Sequence, residues 1–296
     1  MFASSFRGFI RQGDGDSTYN YESDTEVDVI KTTAVLLAAG RGSRLGQLTV
    51  SVPKPLMMLG GRTLLDRNLE ALGRAGIDDI LIVTGYRSDM IESLDPTRYG
   101  QRIRFVRNEE WDTSGIAASF MAADPERLGT DVVLVYGDIV YESAVLDAVL
   151  TSGACPSGIT VPINLEWFDL WCARMDEVYL DAESLVLDAT GRLIEIGRKK
   201  PKPEQVQGQF MGIVLLSNDY VAPLMNHYRD CLAEPLLPYT RKWDITRLLS
   251  SWIESGHEVQ ARGVLGGWLE VDTVDDLYVY EEHRQAGTLD KFCRLS

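Results

Sequence analysis

The sequence predicts an α/β protein built on a Rossmann-like, doubly wound and mostly parallel sheet. Two observations carry this prediction. Short apolar segments alternate with helical segments between residues 33 and 136, and a β-α-β order of this kind favours parallel strands with helices on both faces. Three of the apolar segments lead into Gly40, Gly85 and Asp138, at the carboxyl ends of strands where such sheets bind their ligands.

The first half of the chain supplies the core of that sheet. Apolar runs predict strands over residues 34–37, 79–84, 103–107 and 131–136. Apolar residues at helical spacing predict helices between them, over residues 64–75, 88–94 and 116–123. The first of these helices ends before Gly76, a residue type that commonly follows helix ends.

The second half changes pattern and predicts a mixed or antiparallel β extension. Short strands separated by turn residues are predicted over residues 157–163, 184–188, 193–196, 211–217, 259–264 and 268–272. Helices are predicted over residues 219–231, 245–256 and 274–285, and Thr273 is the expected N-cap of the last. Because no Pro- or Ser-rich linker divides the halves, we predict one domain over residues 32–296, with halves 32–150 and 151–296.

The composition limits the partners of the chain. Its formal net charge is −15, from 44 acidic and 29 basic residues, which argues against binding to nucleic acids or anionic membranes. Residues 1–31 are rich in Asp, Glu, Ser and Gly and predict a disordered acidic tail without a secretory signal. The scattered cysteines give no disulfide framework, so a reduced, cytoplasmic protein is expected. They are Cys155, Cys172, Cys231 and Cys293.

A glycine-rich loop follows the first predicted strand. Residues 36–46 read Leu-Leu-Ala-Ala-Gly-Arg-Gly-Ser-Arg-Leu-Gly, and residues 52–56 read Val-Pro-Lys-Pro-Leu. Glycines let backbone amides approach a phosphate closely, and the cations of the two segments neutralise its charge. The last glycine is one residue too far for a dinucleotide fingerprint, and the Gly-Lys-Ser/Thr end of a Walker loop is absent. The sequence therefore predicts a nucleoside triphosphate site of another kind.

The two segments resemble the nucleotidyltransferases that join a nucleoside triphosphate to a phosphorylated small molecule. The family pattern Leu-Ala-Ala-Gly-x-Gly-(Ser/Thr)-Arg-(Leu/Met), followed by Pro-Lys-Pro-Leu, is intact at Leu37–Leu45 and Pro53–Leu56. The resemblance covers roughly residues 33–285 and implies the nucleotide-diphospho-sugar transferase type of fold, with nucleotide-binding and acceptor-binding halves. It implies that Arg44 and Lys54 are catalytic cations and that the nucleotide is bound by Leu37, Ala38, Ala39, Gly40 and Gly42.

Two aspartates are the expected metal ligands. Asp138 follows a buried strand that ends in a glycine, and Asp272 lies in the late segment Glu-Val-Asp-Thr. Carboxylates suit a hard divalent cation that also binds phosphate oxygens, most often Mg²⁺. The resemblance implies the same ligands, because members of the family take their metal ligands from these two kinds of segment. Mg²⁺ held by Asp138 and Asp272 is therefore expected.

Further segments resemble one branch of the family. The family places its base-reading loop at Thr84 and Gly85, and residues 108–119, including Ser119, resemble cytidylyltransferases that act on phosphocholine or phosphonates. Ser114-Gly115 stands there in place of a more usual asparagine. Residues 181–183, 194–200 and 208–213 resemble the same branch. Lys199 is suited to the phosphate or phosphonate of the acceptor, and Trp167 could hold an amine through its aromatic face.

These patterns together predict a Mg²⁺-dependent cytidylyltransferase. It would transfer CMP from CTP to phosphocholine, 2-aminoethylphosphonate or a related phosphonate and release pyrophosphate. Two alternatives remain open at this point: a sugar-1-phosphate nucleotidyltransferase on the same fold, and a non-catalytic regulator that only binds nucleotide. No nucleic-acid or membrane partner is expected, and a homodimer is compatible with the sequence.

Overall fold

Strands and helices alternate along the part of the chain described by this computed structural model, which is residues 32–150, 158–237 and 239–295. The strands are β1 (Thr32–Ala38), β2 (Met58–Leu59), β3 (Arg62–Thr63), β4 (Asp79–Thr84), β5 (Arg102–Arg107), β6 (Asp131–Tyr136), β7 (Ile139–Tyr141), β8 (Ile159–Asn164), β9 (Glu183–Leu187), β10 (Leu193–Lys199), β11 (Gln209–Phe210), β12 (Ile213–Leu216), β13 (Gln260–Val264) and β14 (Trp268–Glu270). The α-helices are α1 (Leu64–Arg74), α2 (Ser88–Glu92), α3 (Ile116–Ala122), α4 (Ser143–Leu150), α5 (Trp167–Arg174), α6 (Val178–Asp181), α7 (Asn218–Ala233), α8 (Ile245–Glu254) and α9 (Val274–Gln285).

One mixed, mostly parallel sheet organises these elements. Its strand order is β11-β8-β12-β6-β1-β4-β5, and β13 adds to the free side of β8. Strand β1 is parallel to both β4 and β6, and β4 is parallel to β5. Strand β12 runs antiparallel between β6 and β8, and β9 and β10 form a separate antiparallel pair. The prediction of an α/β fold with a parallel core and a mixed extension is confirmed.

The sheet is covered on both faces, which explains why β1 is apolar along its length. Ala34 and Leu36 pack into one hydrophobic cluster together with α1, whereas Val35 and Leu37 pack into a second cluster with α3 and α8. Successive side chains of a strand point to opposite faces, so a strand between two helical layers needs apolar residues at every position. The run Ala-Val-Leu-Leu-Ala meets that need.

Side chains at the starts of two helices fix where those helices begin. The Thr273 side chain accepts a hydrogen bond from the Asp276 backbone, and the Asp276 side chain accepts one from the Thr273 backbone. Thr63 and Asp66 form the same reciprocal arrangement at the start of α1. Each satisfies N–H groups that have no partner within the helix. The prediction that Thr273 caps a helix starting at Val274 is confirmed.

Two predicted features lie wholly or partly outside the residues that the structure describes. The acidic tail predicted over residues 1–31 lies outside the described residues, as does the start of the strand predicted from residue 157. Along the described residues, none of the helices has the length and apolar character needed to cross a membrane.

Candidate active site

The glycine-rich loop leaves the carboxyl end of β1 and packs directly on Lys54. Gly42 has a φ of 69°, and a Cβ at this position would lie 2.8 Å from the Cβ of Lys54. Only glycine meets both conditions without strain. The Gly42 carbonyl also accepts hydrogen bonds from the Leu45 amide and the Thr49 hydroxyl, both at 3.0 Å. The loop and the lysine are therefore built as one unit.

Lys54 lies between the two predicted metal ligands. Its Nζ is 2.6 Å from Asp138 Oδ2 and 2.8 Å from Asp272 Oδ1. Arg44 contacts the other carboxylate oxygen of Asp272, with its Nη1 3.1 Å from Oδ2. Lys54 is buried and starts a short 3₁₀ helix, Lys54–Leu56. In the sequence the lysine stands directly between Pro53 and Pro55. Prolines restrict the backbone and so help to fix the ammonium in place.

The pairing of two short strands brings the aspartates together. Asp138 lies between β6 and β7, and β7 pairs antiparallel with β14, which leads to Asp272. The Val271 amide donates to the Asp138 carbonyl at 3.1 Å and continues this pairing. Residues 134 positions apart therefore lie side by side at the carboxyl end of the sheet core.

The charged side chains around Lys54 stabilise one another in their ionised forms. Burial alone would lower the pKa of Lys54, but the charges of Asp138 and Asp272 outweigh burial and hold that pKa above its ordinary value. Burial likewise opposes ionisation of Asp272, and the charges of Lys54 and Arg44 hold its pKa below the ordinary value. Lys54 is therefore a permanent cation at neutral pH. Glu270 differs, since burial and the charge of Asp272 raise its pKa.

Two cavities meet at Arg44, Asp138 and Asp272, the charged residues that line both. The first, here called the loop cavity, has a volume of about 250 Å³ and is lined by the loop after β1 and by Lys54. Every loop residue predicted to bind nucleotide lines it, as does Ser119; the loop residues are Leu37, Ala38, Ala39, Gly40 and Gly42. The second, of about 180 Å³, shares Arg44, Asp138 and Asp272 with the first. Lys54 thus lies in the wall of the loop cavity, against the two aspartates that both cavities share.

Asn108, a residue that the sequence did not single out as a site residue, holds two serine hydroxyls, and one of the two serines, Ser119, lines the loop cavity. Its Nδ2 donates to Ser114 Oγ and to Ser119 Oγ, both at 3.0 Å. Each hydroxyl oxygen accepts one bond in this way, which leaves its O–H available as a donor. Ser119 is thereby fixed as a hydrogen-bond donor at the wall of the loop cavity.

Thr84 and Gly85 lie behind the loop cavity and are not among its lining residues. Thr84 is fully buried, and its hydroxyl donates to Glu92 Oε1 at 2.8 Å. A Cβ at Gly85 would lie 2.6 Å from the Cβ of Trp111 and 2.7 Å from the carbonyl oxygen of Ala39. The structure therefore gives these two residues a supporting position beneath the loop instead of the direct nucleotide contact expected from the sequence.

The tight packing at Gly85 and the open space at Gly40 predict that alanine has different effects on stability at these two positions. Gly85→Ala should lower the free energy of unfolding by about 1–3 kcal/mol, because its Cβ overlaps atoms of a packed core. Gly40→Ala has no atom within 4 Å of the added Cβ, so it should unfold like the wild type. Denaturant unfolding of both variants measures the difference. Equal losses of stability in the two variants would contradict the placement of Gly85.

The second cavity, here called the carboxylate cavity, extends from the aspartates to residues of the second half. Four further carboxyl groups line it, namely those of Asp181, Glu183, Asp244 and Glu270. Lys199 lines it as predicted, but its Nζ pairs with Glu183, and the charges of Asp181 and Asp244 also act on it. The ammonium is thus surrounded by negative charge, an arrangement less suited to an acceptor phosphate than the sequence suggested.

The expectation for Trp167 is corrected by the structure. Its indole is buried in the hydrophobic core against Trp171 and Tyr179, and it lines neither cavity. Trp171, one helical turn later on α5, lines the carboxylate cavity and stacks on Trp268. Residues four apart on a helix lie on neighbouring parts of its surface, and only the second of the two faces the cavity.

The donor set at the junction of the cavities fits a hard divalent cation. Asp138 Oδ1 is a buried carboxylate oxygen without a hydrogen-bond partner among the described residues. Together with Asp272 it presents oxygen ligands of the kind that Mg²⁺ prefers. Within the described ranges no group of three or more His, Cys, Asp and Glu side chains is arranged to hold a metal. Phosphate oxygens and water would have to complete such a site.

Comparisons with known proteins show similarity to nucleotidyltransferases. Residues 34–174 match the family model of the MobA-like NTP transferase domain. A CTP:phosphoglutamine cytidylyltransferase of Campylobacter jejuni is 27% identical over 257 residues, which cover 84% of this chain and 99% of that protein. A CMP-5'-(3-aminopropyl)phosphonate synthase of Streptomyces rubellomurinus is 37% identical over 121 residues, which are 40% of this chain and only 19% of that protein.

A solved structure supports the same fold. The inositol-1-phosphate CTP transferase of T. maritima superposes with a TM-score of 0.67 at 19% identity, over 89% of this chain and 98% of that chain. At this identity the likeness shows the fold alone.

Proposed function

Because residues 34–174 form a MobA-like NTP transferase domain, we propose that this nucleotidyltransferase is a Mg²⁺-dependent cytidylyltransferase. It transfers CMP from CTP to a small acceptor that carries a phosphate or phosphonate group and an amine. The observation that carries the proposal is the meeting of two cavities at Asp138 and Asp272, the two carboxylates that Lys54 contacts. The names of the relatives from Campylobacter jejuni and Streptomyces rubellomurinus support CTP as the donor.

The reaction joins two anions, which explains the need for cations at the junction. An oxygen of the acceptor forms a bond to the α-phosphorus of CTP, the bond from that phosphorus to the bridging oxygen breaks, and pyrophosphate leaves. Lys54 lies where the two anions meet, so its ammonium screens their repulsion and stabilises the charge of the transition state. The amides of the loop and the Arg44 guanidinium, 63% exposed, hold the leaving phosphates.

Asp138 and Asp272 are the residues that would hold Mg²⁺. When bound, the ion would supply positive charge that neutralises part of the charge of the phosphates. The unpartnered Asp138 Oδ1 supports this assignment. Lys54 contacts the other oxygen of Asp138 and one oxygen of Asp272.

The charge of the carboxylate cavity supports an acceptor with an amine. Asp181, Glu183 and Asp244 line it together with Asp138 and Asp272, against the two cations Arg44 and Lys199. The indole of Trp171 lies at the same wall. Carboxylates and an aromatic face both favour a cation, so the far end of the acceptor is expected to be positive.

A pyrophosphate-release screen tests the proposal. CTP, UTP, GTP and ATP are each combined with phosphocholine, 2-aminoethylphosphonate, phosphoglutamine and hexose 1-phosphates. Turnover is expected with CTP and an amine-bearing acceptor. Turnover with UTP and a hexose 1-phosphate alone would instead support a sugar-1-phosphate nucleotidyltransferase. Binding of CTP without pyrophosphate release from any pair would support a nucleotide-binding regulator.

A matched pair of acceptors tests the amine. Propylphosphonate has the shape of 2-aminoethylphosphonate with a methyl group in place of the amine. The chain should use 2-aminoethylphosphonate with a kcat/KM about 10–100-fold higher, the range expected for one hydrogen-bonded charge. Both acceptors are compared at one CTP concentration by pyrophosphate release. Equal kcat/KM values would remove the carboxylate cavity as the amine site.

A further inference from the structure

Arg174 is a buried cation that lines neither cavity and has no part in the reaction as proposed above. Its side chain ends α5 and is 1% exposed. Nε donates to Asp276 Oδ1 at 2.8 Å and Nη2 donates to Asp276 Oδ2 at 3.2 Å, a two-pronged pairing that fixes both groups in orientation. Nη1 lies 3.4 Å from Glu270 Oε2. One guanidinium therefore joins the first turn of α9 to the residue that ends β14.

Asp276 carries this pairing on to the candidate metal ligand. Its Oδ2 accepts hydrogen bonds from the backbone amides of Asp272 and Thr273, both at 2.8 Å. These amides precede α9, so no backbone carbonyl of the helix accepts their hydrogen bonds, and the Asp276 side chain takes that place. Arg174 is consequently two contacts away from the backbone of Asp272, although 98 positions separate the two residues in the chain.

The backbone position of Asp272 determines where its carboxylate lies. Asp272 belongs to the three-residue connection between β14 and α9, and its two oxygens contact Lys54 and Arg44. A displacement of about 1 Å in such a group can reduce a rate by about 10²-fold. Without Arg174, Asp276 would be a buried carboxylate without its charge partner, and its hold on the Asp272 amide would weaken.

We propose that Arg174 is a positioning residue for Asp272: through Asp276 it sets the carboxylate that holds the divalent cation. The proposal rests on the proposed function, in which Asp272 acts at the reacting phosphates. The Nη1 of Arg174 also contacts Glu270, two residues before Asp272 in the chain. Trp171 lies 4.8 Å beneath the guanidinium, so the wall of the carboxylate cavity and the metal ligand share one support.

Hydrogen exchange provides a test that needs neither metal nor turnover. In Arg174→Gln, exchange of the amides of residues 272 and 273 should accelerate by about tenfold or more, as measured by mass spectrometry on peptides spanning residues 268–276. Thr273→Ala is the matched control, because it removes the cap on the Asp276 amide but keeps Arg174 and both bonds to Asp276 Oδ2. Arg174→Lys keeps the charge without the fork and should fall between them.

Binding and kinetics test the consequence. Mn²⁺, used as the probe ion and followed by its electron paramagnetic resonance signal, should bind Arg174→Gln about tenfold more weakly. The kcat should fall by about tenfold or more while the KM for CTP stays within about threefold, because the substitution leaves residues 37–42 of the loop cavity unchanged. Arg174→Lys should recover part of the kcat. It also carries the test if Arg174→Gln does not fold.

The outcomes separate this proposal from the proposed function. Unchanged exchange at residues 272 and 273 in both Arg174 variants would overturn it, as would equal acceleration in Thr273→Ala. Wild-type Mn²⁺ affinity in a variant with faster exchange would also overturn it. If the wild-type chain turns over no acceptor, the proposed function fails, while exchange and Mn²⁺ binding still decide whether Arg174 holds Asp272.

Discussion

Replacing Lys54 with methionine should reduce nucleotidyl transfer by about 10²–10³-fold, the loss typical of removing one preorganised charge from a transition state. The lysine is the cation that contacts both Asp138 and Asp272, and it lines the loop cavity, in which we propose that CTP binds. Methionine keeps the length of the side chain but not its charge. Pyrophosphate release at saturating CTP and Mg²⁺ measures the effect.

The fold of the Lys54→Met variant must be checked separately, because loss of the ammonium leaves the carboxylates of Asp138 and Asp272 close together without a cation between them. We expect one of them to take up a proton, since like charges raise the pKa of a neighbouring carboxyl group. Lys202→Met, at an exposed position, serves as the control and should keep the wild-type rate. A folded Lys54→Met variant with a rate within about tenfold of the wild type would contradict the catalytic role assigned to Lys54.

The sheet core could be predicted from the sequence because its signals are local. Strand β4 has the bounds that its apolar run predicts, and α9 starts after the threonine that caps it. The loop after β1 was equally readable, since a glycine with positive φ and the lysine it packs against are only twelve positions apart. Such features depend on neighbouring residues, and the sequence states those directly.

The candidate site was predictable only in part, because its remaining geometry depends on distant pairing. Asp138 and Asp272 could be chosen as ligands by resemblance, but their meeting at Lys54 requires the pairing of β7 with β14, two strands of three residues each. No periodicity marks strands so short. Arg174 gave no signal either, since an arginine at a helix end resembles many exposed ones until its partners are known.

The mistaken expectation for Trp167 has a related cause. Trp167 and Trp171 both lie on α5, and the sequence gives no means of telling which one faces a cavity. That choice is made by the rotation of the helix, which the stacking of Trp171 on Trp268 helps to fix. Lys199 shows the same limit, because its pairing with Glu183 comes from the register of β9 and β10.

Asp138→Asn should reduce the rate by about 10²–10³-fold and change its dependence on Mg²⁺. Asparagine preserves the size of the side chain but removes the charge that would hold the cation. The Mg²⁺ concentration for half-maximal rate should rise by about tenfold or more, since the site keeps one carboxylate of two. Removal of divalent cations with EDTA should stop the wild-type reaction, and added Mg²⁺ should restore it.

Asp272→Asn should be the more damaging of the two substitutions. Asp272 neutralises both Lys54 and Arg44, whereas Asp138 neutralises Lys54 alone, so its loss leaves two cations without their shared partner. Asp230→Asn, an exposed change on α7, is the control for the substitution itself. Rates and Mg²⁺ titrations are measured on all three variants after their unfolding curves are compared. Wild-type Mg²⁺ dependence in both Asp138→Asn and Asp272→Asn would show that these aspartates serve only to place Lys54.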